Sequence, residues 1–180
     1  MTDSISTPPG ERPTAILFVC LGNICRSPLA EGIFRAVAAE HGLAQTLHLD
    51  SAGVGAWHIG APPDPRAIAT AHRFGLDITG QRARRVSPED LLRFDLVFGM
   101  DRSNVAALKK LAPAKASARI HLFLDYALGR PDDVPDPYYG ADDGFAAVYR
   151  TLHEASEALA ARLSERAGSA RSKGQASSMI

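Results

Sequence analysis

The sequence predicts one α/β domain built on a four-stranded, mainly parallel sheet with helices on both faces, a Rossmann-like arrangement. Short apolar runs alternate with amphipathic helical stretches, the pattern of β-α-β units. A length of 180 residues suits one domain with its own core. Loops rich in Gly and Pro separate the runs, and no internal repeat interrupts the alternation.

Met1 to Pro13 is polar and contains Pro and Gly, so residues 1–13 are expected to be a flexible leader and 14–167 the domain. Ala15-Ile16-Leu17-Phe18-Val19 is a continuous apolar run and reads as a buried strand. Ser27 is placed as N-cap and Pro28 as the first position of a helix that runs to near His41. Leu29, Ile33, Phe34 and Val37 share its inner face, and Gly42 stops it. Thr46 to Ser51 alternates apolar and polar residues and forms the second strand.

Ala52 to Pro63 is a loop that carries Trp57 and His58. Asp64-Pro65 opens a helix ending at Gly75. Gln81 to Arg85 is a basic connector, expected to be a solvated surface. Ser87-Pro88-Glu89-Asp90 has the form of a capping box. Phe94 to Met100 is the third strand, Asp101 caps a helix over Ser103 to Leu111, and Ile120 to Leu124 is the fourth strand. An acidic, Pro-rich loop spans Asp125 to Tyr139. The last helix is expected from about Asp142 to Arg166, with Phe145, Val148, Leu152, Ala155, Leu159 and Leu163 as its inner stripe. Gly168 to Ile180 is expected to be a disordered tail.

Composition removes several function classes. Twenty basic and twenty acidic residues cancel, so no net charge draws the chain to nucleic acid or a membrane surface. No apolar run approaches the roughly 18 residues of a membrane span, and the N-terminus lacks the apolar stretch of a secretory signal. The two cysteines, Cys20 and Cys25, make no disulfide framework and point to a reducing, cytoplasmic setting. Export without a signal peptide stays compatible with this. The six histidines stand at no metal-ligand spacing with the cysteines, so neither a metal nor a cofactor is expected.

The chemistry gathers in Cys20-Leu21-Gly22-Asn23-Ile24-Cys25-Arg26-Ser27-Pro28, between the first strand and the first helix. Backbone N–H groups at a helix N-terminus lack internal partners and sit in positive potential, which suits an anion. Gly22 and Asn23 are the residues expected to take positive φ and curl the loop. Arg26 supplies a planar fork matched to phosphate oxygens. Cys20, beside that arginine and the helix end, is placed where thiolates are favoured. Ser27 is positioned to hydrogen-bond the sulfur. A nucleophilic sulfur in a phosphate cradle implies phosphoryl transfer through a phosphocysteine. Cys25, across the same loop, is expected to form a reversible disulfide with Cys20 under peroxide, sparing Cys20 deeper oxidation. Transfer also needs an acid for the leaving oxygen and a base for water. Asp136 in Asp136-Pro137-Tyr138-Tyr139-Gly140 can serve as both in turn. Tyr138 and Tyr139 offer an aromatic wall for a phenyl ring.

These motifs resemble those of the low-molecular-weight protein tyrosine phosphatases, whose loop reads Cys-x-Gly-Asn-x-Cys-Arg-Ser-Pro and whose acid segment reads Asp-Pro-Tyr-Tyr-Gly. The resemblance covers about Ile16 to Leu163. It takes in Asp50-Ser51-Ala52-Gly53, Pro63-Asp64-Pro65-Arg66 and Met100-Asp101. It implies a phosphotyrosine phosphatase I-like fold and a phosphotyrosine-containing protein as substrate. It implies Cys20, Arg26 and Asp136 as catalytic residues. Leu21, Gly22, Asn23, Ile24, Cys25 and Ser27 would surround the phosphate, and Trp57, Tyr138 and Tyr139 would wall the cleft. Asn23, Ser27 and Ser51 would hold the loop in shape. A monomer or weak dimer without nucleic acid or membrane partners is expected.

One position departs from the family pattern. Relatives often carry a His before the Ala-Arg pair of the basic connector, whereas Gln81 and Arg82 precede Ala83-Arg84 here. How Asn23 and the loop are buttressed is therefore left to the structure. Three rivals remain. An arsenate reductase of this fold needs further cysteines, and none exists. A phosphoarginine phosphatase tends to carry Thr where this chain has Ile24. A non-catalytic phosphotyrosine-binding module has no need of both Cys20 and Asp136.

Overall fold

The computed structural model describes residues 12–176. Strand β1 (Thr14–Cys20) is apolar along its length because it runs through the middle of the sheet. Helix α1 (Arg26–Glu40) returns the chain to β2 (Leu47–Gly53), which pairs parallel with β1. Helix α2 (Pro65–Arg73) and the short α3 (Asp90–Arg93) lead to β3 (Leu96–Gly99) on the other side of β1. Helix α4 (Arg102–Leu111) precedes β4 (Arg119–Leu122) at the edge. Helices α5 (Phe123–Leu128) and α6 (Asp142–Ala176) complete the chain. The sheet order is β2-β1-β3-β4, and every pairing is parallel.

Alternation along β1 divides the interior. Ile16, Phe18 and Cys20 enter the larger cluster, with Leu29, Ile33 and Phe34 of α1 and Phe145, Leu152 and Leu159 of α6. Ala15, Leu17 and Val19 enter the smaller cluster, with Leu91, Val97 and Leu108. Phe18 meets Phe34, Phe98 and Phe123 at centroid distances of 5.8, 5.9 and 5.4 Å. The order reverses between β1 and β3, so the topological switch point lies at their carboxyl ends. Cys20 ends β1 there, and Asp101 follows β3.

Several boundaries differ from the sequence expectation. The third strand is only Leu96–Gly99; just before it the Asp95 carboxylate accepts from the Ala15 N–H at 2.8 Å. The fourth strand is Arg119–Leu122, and the expected loop from Asp125 begins with α5. Phe123, Leu124 and Ala127 of α5 face the core, and Gly129 closes it with φ 67°. Helix α6 continues past Arg166 to Ala176, so the expected disordered tail starts inside it, and 177–180 lie outside the described residues. The expected leader also lies outside them, apart from Arg12 and Pro13. Ser87 to Asp90 forms half a capping box: the Asp90 carboxylate accepts from the Ser87 N–H at 2.8 Å, and Asp90 lies within α3.

Candidate active site

Strand β1 ends at Cys20 and α1 begins at Arg26, so residues 21–25 turn the chain in one tight loop. Asn23 makes the turn, with φ at 56°, the one positive-φ non-glycine among the described residues. Gly22, expected to share that role, does not take positive φ. Its missing side chain serves a close approach, since a Cβ there would lie 3.1 Å from His58 Cδ2.

The loop wraps the thiol of Cys20. The Asn23 N–H donates to Cys20 Sγ at 3.3 Å, and the Ser27 hydroxyl lies 3.0 Å from the same sulfur. The N–H groups of Gly22, Ile24, Cys25 and Arg26 meet no acceptor among the described residues. Backbone donors turned together in this way form a concavity for an anion.

Ser27 corrects the expectation. It does not cap α1, which starts at Arg26, two residues before the expected Pro28, with Cys25 as N-cap and no side-chain cap bond. Pro28 is consequently the third helical residue, not the first. The Ser27 hydroxyl accepts from Asn23 Nδ2 at 2.8 Å. The Asn23 and Ser27 side chains are buried behind the loop and do not line the cleft, so they are supports and not contact surface.

Asn23 is the hub of that support. Its Nδ2 also donates to Ser51 Oγ at 3.0 Å, and its Oδ1 accepts from the Arg84 N–H at 3.0 Å. Ser51 donates in turn to Glu31 Oε2 at 2.8 Å. Burial pushes the Glu31 carboxyl upward, and the Ser51 hydroxyl and Arg35 draw it back. The basic connector is thus no solvated surface at Arg84. Its guanidinium is bound by Asp50 at 2.9 Å and Asp90 at 2.9 Å, which fixes the backbone that holds Asn23. At the departing position, Gln81 Nε2 donates to the Pro28 carbonyl at 2.9 Å, tying the connector to α1.

Arg26 is buried, with 3% of its side chain exposed. Its Nη1 donates to Asp101 Oδ2 at 2.7 Å and to the Val134 carbonyl at 3.1 Å, and Nη2 reaches Asp136 Oδ2 at 3.4 Å. Burial works to raise the Asp101 carboxyl. Hydrogen bonds from Ser103, Arg26 and Asn104 outweigh it and hold the group below the usual carboxylate range.

Cys20, Leu21, Ile24, Cys25 and Arg26 line one side of a cleft of about 290 Å³, and Trp57, His58, Asp136, Tyr138 and Tyr139 line the other. Trp57 and Tyr139 stand in solvent as walls, 71% and 92% exposed. Trp57 lies over Gly55, where a Cβ would fall 1.8 Å from the indole. Burial, with Asp64, Cys20 and Asp136 nearby, pushes the Cys25 thiol up to about 12.

The acid side hangs on Arg66. It pairs with Asp64 through two bonds of 3.0 Å, and it donates to the Tyr138 carbonyl at 3.0 Å. Its guanidinium lies 5.4 and 4.8 Å from the Tyr138 and Phe145 ring centroids. The bonds from Arg66 hold the Asp64 carboxyl below its usual range. The Asp64 N–H donates to the Ile24 carbonyl at 2.8 Å, and the Tyr138 N–H donates to Asp136 Oδ1 at 3.1 Å. One strut therefore joins the anion loop to the acid loop.

Sequence inspection singled out Cys20, Arg26, Asp136 and the aromatic walls, and the fold brings them together. It left Glu31, His58, Arg66, Arg84 and Val134 without roles. Asp101 was legible only as a helix cap, which it is, in a full capping box with Asn104. Among the described residues, no cluster of three His, Cys, Asp or Glu is placed for a metal ion.

Such a cleft, on a parallel sheet at its switch point, belongs to the chemistry of cysteine-dependent phosphatases. Residues 15–169 match the family described as low molecular weight phosphotyrosine protein phosphatase. The chain is 43% identical to the Bacillus subtilis low molecular weight protein-tyrosine-phosphatase YfkJ over 150 residues, covering 83% of this chain and 95% of that one. It is similar to a crystal structure of a protein tyrosine phosphatase from Entamoeba histolytica, with TM-score 0.79, 36% identity and coverage of 84% and 97%. A Drosophila arginine phosphatase structure also matches, at TM-score 0.76, 33% identity and coverage of 82% and 96%. The chain belongs to the low molecular weight phosphotyrosine protein phosphatase family.

Asn23→Ala is expected to destabilise the protein by about 4–5 kcal/mol, combining roughly 1 kcal/mol for each of the three lost bonds with the left-handed penalty of ~1–2 kcal/mol. Urea unfolding measures this, and an unchanged midpoint would contradict the hub role.

Proposed function

We propose that the protein hydrolyses phosphotyrosine in proteins, and small aryl phosphates, through a phosphocysteine. The observation that carries this is the convergence of Cys20, Arg26 and Asp136 on one cleft above unbonded loop N–H groups. The Cys20 sulfur attacks phosphorus as the aryl oxygen leaves with the Asp136 proton. Loop N–H groups and Arg26 Nη2 hold the equatorial oxygens as charge shifts, while Nη1 stays anchored on Asp101 and Val134. Asp136 then takes a proton from water, which attacks phosphorus. Inorganic phosphate departs and the sulfur leaves as thiolate, stabilised by the Ser27 hydroxyl and the Asn23 N–H.

The Trp57, Tyr138 and Tyr139 walls favour a flat phenyl ring. Ile24, where phosphoarginine phosphatases tend to carry Thr, lines the same cleft and adds to the preference for phosphotyrosine over phosphoarginine. We place the activity in the cytoplasm, since Cys20 and Cys25 are free thiols. No described helix is long and apolar enough to cross a membrane. We assign no nucleic-acid partner and a monomeric or weakly dimeric state, in keeping with the balanced charge.

Cys20→Ser is expected to abolish turnover of p-nitrophenyl phosphate while phosphate still binds; full activity in that variant would sink the mechanism. Asp136→Ala is expected to slow phosphotyrosine far more than esters with better leaving groups. Equal losses on both would remove its role as acid. Peroxide oxidises Cys20 to a sulfenic acid with release of water, and the Cys25 thiolate then displaces hydroxide to form the disulfide. Because the Cys25 thiol lies near 12, its thiolate fraction, and with it disulfide formation, is expected to rise about tenfold per pH unit across the neutral range. Mass spectrometry that finds sulfinic Cys20 with free Cys25 at every pH would refute the disulfide.

A further inference from the structure

We propose that the groove beside the catalytic cleft is a subsite for an uncharged aliphatic side chain a few residues from the phosphotyrosine of a protein substrate. This rests on the phosphatase reading above. The groove has a volume of about 590 Å³ and shares Ile24, His58 and Tyr138 with the cleft. The smaller cleft takes the phosphoaryl group, so the residues on either side of it must lie beyond its rim. There they meet this groove.

Its chemistry selects among possible side chains. Pro62, Pro63, Ile68 and Leu76 supply apolar surface. Ile68 and Leu76 are half-buried, so part of each is free to be covered by a ligand. Pro62, Pro63 and Pro65 have no N–H, and this wall therefore cannot pair with a peptide as an added strand. The neighbouring N–H groups of Ala61 and Ala83 are already bonded, to the carbonyls of His58 and Ala61. Recognition here falls to side-chain burial, not to backbone pairing.

Charge disfavours the main alternatives. No Lys or Arg lines the groove; its titratable side chains besides Tyr138 are Asp64, Asp77, His58 and His72. Asp64 is saturated by Arg66. Asp77 accepts from the Thr79 N–H and hydroxyl at 2.9 and 2.6 Å, which fixes the far end and keeps a negative charge there. An acidic side chain would meet like charge from Asp77, with only the imidazoles of His58 and His72 beside it. A lysine would reach Asp77 only at the exposed far end, where a surface ion pair contributes little, and would gain less than an aliphatic side chain from the proline and aliphatic wall. The groove is also rigid before a ligand arrives, because Asp64 caps α2 and prolines form the wall, so little ordering opposes binding.

The test compares phosphotyrosyl peptides in which each flanking position in turn is Leu, Asp or Lys. At one or more positions Leu is expected to raise kcat/KM about tenfold over Asp, the scale set by burying one aliphatic side chain. Ala69 is exposed on the groove side of α2 and outside the cleft. Ala69→Glu is expected to erase the Leu preference and leave p-nitrophenyl phosphate kinetics unchanged. Equal rates for Leu, Asp and Lys, a preference for Asp or Lys, or a Leu preference that survives Ala69→Glu would each overturn the subsite. Failure of the unaltered protein to hydrolyse p-nitrophenyl phosphate would overturn the phosphatase reading and the subsite with it.

Discussion

The left-handed backbone at Asn23 is the constraint on which the catalytic end of the molecule depends. A five-residue connection must leave β1, aim its N–H groups at one point and enter α1. Only a residue that tolerates positive φ permits this, and Asn23 adds an amide whose two hydrogens and oxygen are all bonded. The bonding also has a direction. Asn23 Nδ2 donates to both serines, so each serine oxygen is already an acceptor and its proton must point onward. From Ser51 the proton goes to Glu31. From Ser27 it faces the Cys20 sulfur at 3.0 Å or the Ala52 carbonyl at 3.4 Å. A carboxylate at Glu31 fixes this polarity, because a protonated acid would compete as a donor. Burial disfavours the charge there, and Arg35, mostly in solvent, offsets it only in part.

The Gln81 departure is accommodated by the backbone and not by a substitute side chain. The Asn23 oxygen is held by the Arg84 main chain, which any residue supplies. What matters is that the Arg84 segment stay in place, and the Asp50 and Asp90 pairs hold it there from two elements. Gly53 meets the same segment, since its N–H donates to the Arg84 carbonyl at 2.8 Å. A Cβ on Gly53 would lie 3.0 Å from the Asn23 nitrogen, so β2 presses directly on the back of the loop. Position 81 does not hold Asn23 itself; Gln81 ties the connector to α1 through the Pro28 carbonyl.

Legibility followed the range of the interaction. The four strands, the helix after Cys20 and the anion loop were readable because apolar runs and short-range turn chemistry fix them. Helix α5 was not, because Phe123 to Leu128 is too short to show a period and its reason to be helical is the core above it. The end of α6 was missed for the opposite reason: Gly and Ser after Arg166 lower helix propensity without preventing continuation from a long helix. In the site, Cys20, Arg26 and Asp136 announce themselves by residue type. Arg66 and Arg84 do not, since an arginine that braces backbone and one that coats a surface look alike in sequence. Ser27 carried a cap signal and serves the sulfur instead, 3.0 Å from its hydroxyl, because the helix begins before it at Arg26.

The two sides of the cleft are therefore built by different means. The anion side is local: nine consecutive residues supply the nucleophile, the donors and the fork. The acid side is remote in sequence and is held by struts. Arg26 is where the two meet, because its Nη1 is pinned by Asp101 from the end of β3 and by Val134 from the acid loop. Arg66 makes the second join, between the Ile24 side and the Tyr138 carbonyl. With both joins in place, the acid loop is tied to the anion loop before any substrate arrives. Outside Asp64, which carries the second join, the side chains of the outer surface at Trp57, Ile68 and Ala69 make none of these bonds. That surface is free to vary in shape without disturbing the chemistry, which is where substrate discrimination can be altered at least cost to the reaction.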